Sequence, residues 1–332
     1  MDVHDANRLK ELQALPLDRK IGFTAARIAE WYNHFNGRVH VSFSGGKDST
    51  VLLYIARKLF PNIKGVFVDT GLEYPEIREF VKRQENVDWI RPKKSFLQVL
   101  QEYGYPVIGK EIAHYVYYAR RGQGWASCAL GTLDHYVAKN GHDIARRNGG
   151  RYDFTKYGYL LQAPFKISDE CCAIMKKSPA NRYSKENNSF PMLGTMTEES
   201  RLREKSWIHH GCNAFSSKHP ISTPMAFWTE QDVLQYIRAM NIPICPLYGE
   251  IVEDANGKLR TTKAERTGCM FCMFGIQRER AKPVPADVLH APGSMEILHG
   301  KAGHQGCAEL PEHSVRTRTR PFSRNIQIRS LP

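Results

Sequence analysis

The chain has 332 residues, 42% of them hydrophobic and 24% charged, which suits a globular protein with a sizeable core. No apolar run approaches the ~18 residues that a membrane span needs, and the first residues are too polar for a signal peptide, so we expect a cytoplasmic protein without membrane partners. The formal charge of +13 favours polyanionic partners such as nucleotides or nucleic acid.

The first hundred residues alternate predicted helices and strands. Helices are predicted over residues 8–35, with a break near Pro16, and the strand "VHVSFS" follows them. Two more strands, "IKGVFVDTG" and "VDWIRP", are each followed by an amphipathic segment. This alternation predicts an α/β fold with a doubly wound parallel sheet, in which ligands bind at the carboxyl ends of the strands.

The rest of the chain is less regular. A helix near 109–121 leads into glycine-rich and tyrosine-rich connections that extend to residue 165. The aromatic and basic residues of "HYVYYARRGQGW" are typical either of a base-stacking surface or of one buried helix face, and their helical spacing favours the second interpretation. Farther on, "PMLGTMTEESRLR" repeats the pattern of strand, turn and helix, and "WTEQDVLQYIRAM" predicts a helix capped by Thr229 and Asp232.

The turn after the first strand reads "SGGKDS" and occupies residues 44–49. Its adjacent glycines, Gly45 and Gly46, let backbone N–H groups approach an anion at a helix N-terminus, and Lys47 adds positive charge. Four hydroxyl groups could donate hydrogen bonds to the same anion: those of Ser42, Ser44, Ser49 and Thr50. The pattern predicts a phosphate-binding loop, although an ordinary strand-to-helix turn is the alternative.

This hexapeptide resembles the pyrophosphate-binding loop of the ATP pyrophosphatase superfamily, which includes sulfonucleotide reductases, ATP sulfurylase and tRNA-thiolating enzymes. The resemblance implies a fold of the adenine nucleotide α-hydrolase type and chemistry at the α-phosphate of ATP or of a sulfonucleotide (APS or PAPS). It also implies catalytic roles for Lys47 and Asp48, with Mg²⁺ as a cofactor that Asp48 helps to hold. A capping role at the helix start is the alternative for Asp48.

Two later stretches are similar to the phosphoadenosine phosphosulfate (PAPS) reductase branch of that superfamily. In "FVDTGLEYPEI" the matching positions are Asp69, Thr70 and Glu73, which the resemblance places toward the adenosine. In "LGTMTEESRLR" they are Thr195, Ser200, Arg201 and Arg203. Arginine pairs bidentately with phosphate or sulfate, so Arg201 is expected in catalysis and Arg203 in nucleotide binding. The alternatives are a turn aspartate and a solvated helix start.

Four of the eight cysteines form two pairs, the adjacent Cys171 and Cys172 and the C-x-x-C of Cys269 and Cys272. This pattern resembles the iron–sulfur signature of assimilatory adenylylsulfate reductases and of the DndC-like component of DNA phosphorothioation systems, and it implies one [4Fe–4S] cluster. Thiolates suit such clusters, and flanking apolar side chains could shield one from water: Met270, Phe271, Met273 and Phe274. A zinc site and buried free thiols are the alternatives. Lys176, Lys177 and Arg266 would place positive charge between cluster and nucleotide.

The resemblance divides the chain into N-terminal helices over 1–36, a PAPS reductase-like nucleotide-binding domain with an iron–sulfur site over 37–280, and a basic irregular tail over 281–332. Reductases of this branch carry a tail cysteine in a Cys-Gly-apolar-His pattern. Cys307 lies in "GHQGCAEL", which departs from that pattern.

Three functions follow. The first is ATP-dependent sulfur transfer. DNA is a candidate acceptor, because the positive charge and the "RTRTR" tail suit nucleic acid. A cysteine desulfurase or similar sulfur donor would be the partner. The second is an APS or PAPS reductase that releases sulfite. The third is a nucleotide-binding module without turnover. The sequence does not predict the oligomeric state.

Overall fold

The computed structural model describes residues 4–146, 148–150, 152–270, 272 and 274. Its strands are β1 (Val39–Ser42), β2 (Lys64–Val68), β3 (Val87–Ile90), β4 (His135–Val137), β5 (Asp143–Ala145), β6 (Phe190–Leu193), β7 (Asn213–Ala214), β8 (Ile221–Ser222), β9 (Ile251–Glu253) and β10 (Leu259–Thr261). Its α-helices are α1 (Ala6–Ala14), α2 (Leu17–His34), α3 (Lys47–Leu59), α4 (Pro75–Lys82), α5 (Phe96–Tyr103), α6 (Lys110–Ala119), α7 (Gly124–Ala129), α8 (Ser178–Glu186), α9 (Arg201–His210) and α10 (Glu230–Met240). None of the described helices is both long and apolar enough to cross a bilayer.

Six strands form the main sheet in the order β3-β2-β1-β6-β8-β7. β1 pairs in parallel with β2 on one side and with β6 on the other, and β2 pairs in parallel with β3. β7, at the edge, is antiparallel to β8. The predicted α/β fold with a mainly parallel sheet is confirmed, and the carboxyl ends of β1, β2 and β6 meet at one edge of it.

The N-terminal helices contribute to the main hydrophobic core. Ile28 and Trp31 of α2 are fully buried, and Leu9 and Leu12 of α1 join the same cluster. The predicted break falls at Pro16, which precedes the first residue of α2. These two helices therefore pack on the sheet domain through apolar contacts.

A buried ion pair fixes α2 against α10. Lys20 Nζ lies 2.6 Å from Asp232 Oδ2, and both side chains are almost fully buried. Asp232 also completes the predicted capping box, since Thr229 and Asp232 each bond the other's backbone N–H group. The first turn of α10 is thereby held at two points, through its cap and through α2.

Nine of the described residues between Val107 and Ile167 are buried together in a second, smaller core. The predicted helix near 109–121 is present as α6, and the connections predicted after it contribute to this core. The segment "GWASCA" forms α7, and the ring of Tyr136 in β4 lies so close to Gly124 that a Cβ there would be 2.1 Å from it. Tyr115 and Tyr118 are half-buried and contact the Trp125 ring, with centroids 5.2 and 5.5 Å apart. These aromatic side chains thus pack on one another, but Arg121 of the same stretch is exposed, so the expected buried helix face is only partly present.

Several predictions fall outside the described residues. These are the basic tail over 281–332 with its "RTRTR" stretch, Cys307, and the proposed shielding residues Phe271 and Met273.

Candidate nucleotide site

A cavity of about 420 Å³ opens at the carboxyl ends of β1, β2 and β6. The "SGGKDS" loop forms one wall. The opposite walls come from the end of β2 with Glu73, from Gly194 and Thr195 after β6, and from the chain at 266–268. The cavity lies where a doubly wound sheet is expected to bind a ligand.

The loop conformation depends on Gly45. Its φ of +72° lies in the left-handed region, and a Cβ at this position would be 2.8 Å from Val81 Cγ2. Gly46 is the N-cap of α3, so the first N–H groups of that helix point toward the loop. This backbone arrangement is the one that anion-binding loops use.

The hydroxyl groups of the loop are partly engaged already. Ser49 Oγ and Thr50 Oγ1 both donate to the carbonyl of Gly46, at 2.9 and 3.0 Å. Ser44 Oγ lies 3.1 Å from Ser49 Oγ and accepts a hydrogen bond from Gly46 N–H. Ser42, Ser44 and Ser49 line the cavity. In the observed rotamer the Thr50 hydroxyl donates to the backbone carbonyl one turn earlier, and Thr50 does not line the cavity, so the expected donation from Thr50 to an anion is not supported.

Lys47 is buried at the base of the cavity, with 4% of its surface exposed. Its ammonium donates to the carbonyl of Glu265 at 3.0 Å and pairs with Glu230 at 3.1 Å. Burial opposes the charge, but the carboxylates of Asp48 and Glu230 and the Tyr248 hydroxyl outweigh it, so the pKa of Lys47 lies above its ordinary value. Lys47 is therefore a cation at neutral pH.

Asp48 also lines the cavity. Its Oδ1 atom is 3.8 Å from Lys47 Nζ and accepts no hydrogen bond from any residue that the structure describes. Burial raises the pKa of Asp48, while Lys47 opposes that shift. An inward carboxylate oxygen of this kind fits an oxygen-ligated cation such as Mg²⁺.

The motif "FVDTGLEYPEI" has a part that stabilises a turn and a part that faces the cavity. Asp69 is 3% exposed, and its Oδ2 pairs with Arg78 and Arg91 at 3.2 and 3.1 Å. Thr70 donates through both its backbone N–H and its hydroxyl to Glu73. Of the three predicted residues in this motif, Glu73 lines the cavity, whereas the observed contacts of Asp69 and Thr70 stabilise the turn beside it.

The motif "LGTMTEESRLR" places one of its arginines in the cavity and exposes the other to solvent. Thr195 and Arg203 line the cavity, and Glu199 pairs there with both Arg203 and Arg266. Arg201 is exposed, and the Ser200 side chain caps α9 through the N–H of Leu202. The expectation that Arg201 and Ser200 face the crevice is wrong in this structure, because the helix turns Arg201 away.

Three cavity neighbours had no recognisable signal in the sequence. Tyr248 is 1% exposed and accepts a hydrogen bond of 3.1 Å from Lys47 N–H, and its hydroxyl is 2.9 Å from Thr267 Oγ1. Glu230, the third, pairs with Lys47. Each lies about 180 or more residues from the loop, so only the folded chain brings them together.

Two of the four predicted cysteines, one from each pair, lie in the same group of side chains. Cys171 and Cys269 pack with Leu72 and Met175 in one small apolar cluster. Burial, and to a lesser extent the neighbouring Cys172, Cys269 and Cys272, raises the pKa of Cys171 to about 12. Within the described part of the chain, no group of three or more His, Cys, Asp or Glu residues is placed to hold a metal ion.

Lys176 links this cysteine set to the cavity. Its ammonium interacts with Cys269 through a hydrogen bond and lies 4.0 Å from Glu73 Oε1, while Lys176, Lys177 and Arg266 all line the cavity. The cysteine pair precedes a π-helical turn (Ala173–Lys177) that leads into α8, and such turns are frequent at functional sites. Of the three predicted cations, Lys176 thus contacts both a cysteine and the cavity, whereas Lys177 and Arg266 are observed only at the cavity.

Gly194 offers a first test of how closely β6 packs on the loop. A Cβ at this position would be 2.8 Å from the carbonyl oxygen of Asp48 and 3.1 Å from the backbone nitrogen of Ser49. We expect Gly194→Ala to lower the free energy of unfolding by about 1–3 kcal/mol, because backbone atoms must move. Gly22→Ala on α2, with no atom within 4 Å of its Cβ, is the control and should be neutral or stabilising. Equal stabilities in denaturant titrations would contradict the expectation.

Comparisons with known proteins agree with these motifs. The profile of the phosphoadenosine phosphosulfate reductase domain family matches residues 38–106 and 137–273. Sulfate adenylyltransferase subunit 2 of Proteus mirabilis is 29% identical over 211 residues, which are 62% of this chain and 58% of that protein. An uncharacterized protein of Methanocaldococcus jannaschii is 35% identical over 202 residues, or 58% of this chain and 38% of the relative. The chain therefore spans just over half the length of the first relative and less of the second.

A structural comparison gives a more distant likeness. The crystal structure of phosphoadenylyl-sulfate (PAPS) reductase from Candida auris, in a phosphate complex, is 14% identical, with a TM-score of 0.37. The alignment covers 76% of this chain and 97% of that one.

Proposed function

The chain belongs to the phosphoadenosine phosphosulfate reductase domain family, and we propose that it is an ATP pyrophosphatase-type enzyme of sulfur transfer. In this proposal the enzyme binds ATP at the "SGGKDS" loop, activates an acceptor through the α-phosphate and releases pyrophosphate. The observation that carries the proposal is the cavity itself, where the loop, three motif residues and several cations face one space.

The charges of the cavity suit a polyphosphate. Lys47, Lys176, Lys177, Arg203 and Arg266 line it. The N-terminus of α3 adds backbone N–H groups and the positive end of its dipole. The cavity volume of about 420 Å³ lies within the range of small-molecule sites.

The proposed reaction is a substitution at the α-phosphorus. An oxygen of the acceptor forms a bond to that phosphorus, the bond to the bridging oxygen of the β-phosphate breaks, and pyrophosphate leaves with the electron pair. Lys47 and the α3 N-terminus would stabilise the negative charge that develops on pyrophosphate. Asp48, whose Oδ1 accepts no hydrogen bond from the described residues, would hold Mg²⁺, which supplies further neutralisation of the phosphates.

The two cysteine pairs of the sequence are the basis for an iron–sulfur cofactor in this proposal. Cys171, Cys172, Cys269 and Cys272 would hold a [4Fe–4S] cluster, because all four donors are thiols and Cys171 and Cys269 pack in the same apolar group of side chains. The described side chains do not yet form a metal site, so ligation requires the thiols to move closer together. Such a cluster, when bound, can position sulfur or transfer electrons. Lys176 would stand between the cluster and the nucleotide, where its charge would attract an anionic intermediate.

The acceptor and the sulfur source are part of the proposal. The formal charge of +13 favours a polyanionic acceptor, and we take DNA as the class to test first. A cysteine desulfurase or another protein that delivers sulfur would complete the reaction.

A reductase that releases sulfite from APS or PAPS is the second candidate. The family description favours it, and the cavity basicity suits a sulfonucleotide equally well. The departure of the Cys307 segment from the Cys-Gly-apolar-His pattern disfavours it.

The deciding experiment uses anaerobically purified protein. Pyrophosphate release from ATP and Mg²⁺ is measured with DNA, with sulfate and without an acceptor, beside sulfite release from APS or PAPS with a thiol reductant. DNA-stimulated pyrophosphate release is the expected result. Stimulation by sulfate instead would point to sulfate adenylylation, and sulfite without pyrophosphate would replace the proposal by the reductase. Tight ATP binding without any product would leave a binding module.

A further inference from the structure

A carboxylate from a distant helix lies against the cation of the phosphate loop. Glu230 Oε1, in the first turn of α10, is 3.1 Å from Lys47 Nζ. The Lys47 side chain is 5% exposed, whereas that of Glu230 is 47% exposed. One partner of the ion pair is thus fixed in the protein, and the other can turn toward solvent.

The backbone of Glu230 is held in place independently of Lys47. Thr229 and Asp232 close the capping box around it, and Asp232 is tied to Lys20. The N–H of Glu230 donates to Glu198 Oε2 at 2.9 Å. Movement of the carboxylate therefore needs only a rotation of the Glu230 side chain.

The other polar contacts of Lys47 Nζ are a backbone carbonyl and a more distant carboxylate. The carbonyl of Glu265 is uncharged, and Asp48 Oδ1 is 3.8 Å away, beyond hydrogen-bond distance. Asp48 therefore acts on this charge from farther away, whereas Glu230 is a carboxylate at hydrogen-bond distance from Lys47 Nζ. Without a rotation, the same carboxylate would also repel a polyphosphate that enters the loop.

We propose that Glu230 is a resident counter-ion that holds Lys47 while the loop is empty and gives way to the phosphates when they bind. The inference rests on the proposed binding of a polyphosphate at this loop and adds a residue that sets its affinity. An acidic residue in a first helical turn needs no functional reason, because it stabilises the helix dipole. The contact with the buried lysine distinguishes Glu230 from such a residue.

Removing the charge while retaining the shape should tighten polyphosphate binding. For Glu230→Gln we expect about tenfold higher affinity for pyrophosphate and for ATP, which corresponds to about 1.4 kcal/mol. In this variant Lys47 would no longer have to release a carboxylate before it binds a phosphate. The repulsion between that carboxylate and the phosphates would also be absent. Adenosine carries no phosphate, so its affinity should not change. Glu230→Asp keeps the charge and should show no such gain.

The test is titration calorimetry of wild type and variants with pyrophosphate, ATP and adenosine, at low and high salt, after thermal unfolding has shown that each variant is folded. Glu79→Gln serves as the control, because Glu79 is exposed on α4 and pairs with Lys82. The gain should shrink at high salt. A variant with a damaged fold would bind more weakly. A gain in affinity therefore distinguishes removal of the counter-ion from damage to the fold.

The outcomes are distinct. Wild type that binds pyrophosphate and Glu230→Gln that binds it equally or less tightly would overturn the counter-ion role alone. A wild type that binds neither pyrophosphate nor ATP would overturn the proposed function together with this inference. If Glu79→Gln gained the same affinity, the effect would come from the net charge of the protein, and the counter-ion role of Glu230 would be refuted.

Discussion

Lys47→Ala is expected to reduce the release of pyrophosphate from ATP by about 10²–10³-fold, the usual effect of removing a group that stabilises transition-state charge. Lys47 lies buried at the phosphate loop, and its pKa is raised over the opposition of burial by Asp48, Tyr248 and Glu230, so it is charged across the assay range. The iron content of the variant should equal that of the wild type, because Lys47 is not part of the cysteine set. Initial rates and metal analysis on the same anaerobic preparations measure both quantities.

Two further variants make this result specific. Lys58→Ala removes an exposed lysine from the same helix and should leave the rate unchanged. Lys47→Met keeps most of the aliphatic volume, so it distinguishes loss of charge from loss of packing. Lys47→Met with wild-type turnover would refute the role assigned to the ammonium group.

Cys269→Ala should abolish iron binding, from about four iron atoms per chain to a small remainder, with loss of the visible absorbance of the cluster. Cys269 packs beside Cys171 on Leu72 and Met175, and its N-terminal neighbours line the nucleotide cavity. Alanine is chosen because serine could still offer an oxygen ligand. Pyrophosphate release could persist in this variant while sulfur transfer is lost, because the loop and the cysteines form separate contacts.

Cys128→Ala is the matched control. Cys128 is a fully buried thiol of α7, and its Sγ–H donates to the carbonyl of Ile144. The variant should keep its iron and lose only modest stability. Stoichiometric zinc without iron in the wild-type protein would refute the cluster and favour the tetrahedral alternative.

The early strands and helices could be predicted because their signals are local. The turn at 44–49 needs the left-handed φ that Gly45 adopts, and the capping box of Thr229 and Asp232 spans only three residues. Apart from its helix near 109–121, the smaller core between Val107 and Ile167 escaped prediction because its order comes from contacts between segments, such as Tyr136 over Gly124. Some glycines of this segment mark close packing, as Gly124 does, whereas others, such as Gly141, have open space around them.

The direction in which an individual side chain points could not be predicted in the same way. Arg201 and Arg203 are two residues apart, which is about 200° around an α-helix, so both could not point into one cavity from the first turn of α9. A sequence motif shows that arginines are present, and the packing of α9 decides which one is used. Asp69, similarly, is committed to Arg78 and Arg91, which the motif does not reveal.

By itself, the sequence determined the parallel α/β fold and the glycine loop, since backbone conformation and hydrophobic periodicity are properties of neighbouring residues. It also indicated the basic character of the cavity and the two cysteine pairs. Only the tertiary structure decided that Tyr248 and Glu230 contact Lys47 and that Thr267 contacts Tyr248, because contacts between residues so far apart in the chain depend on how complete elements pack.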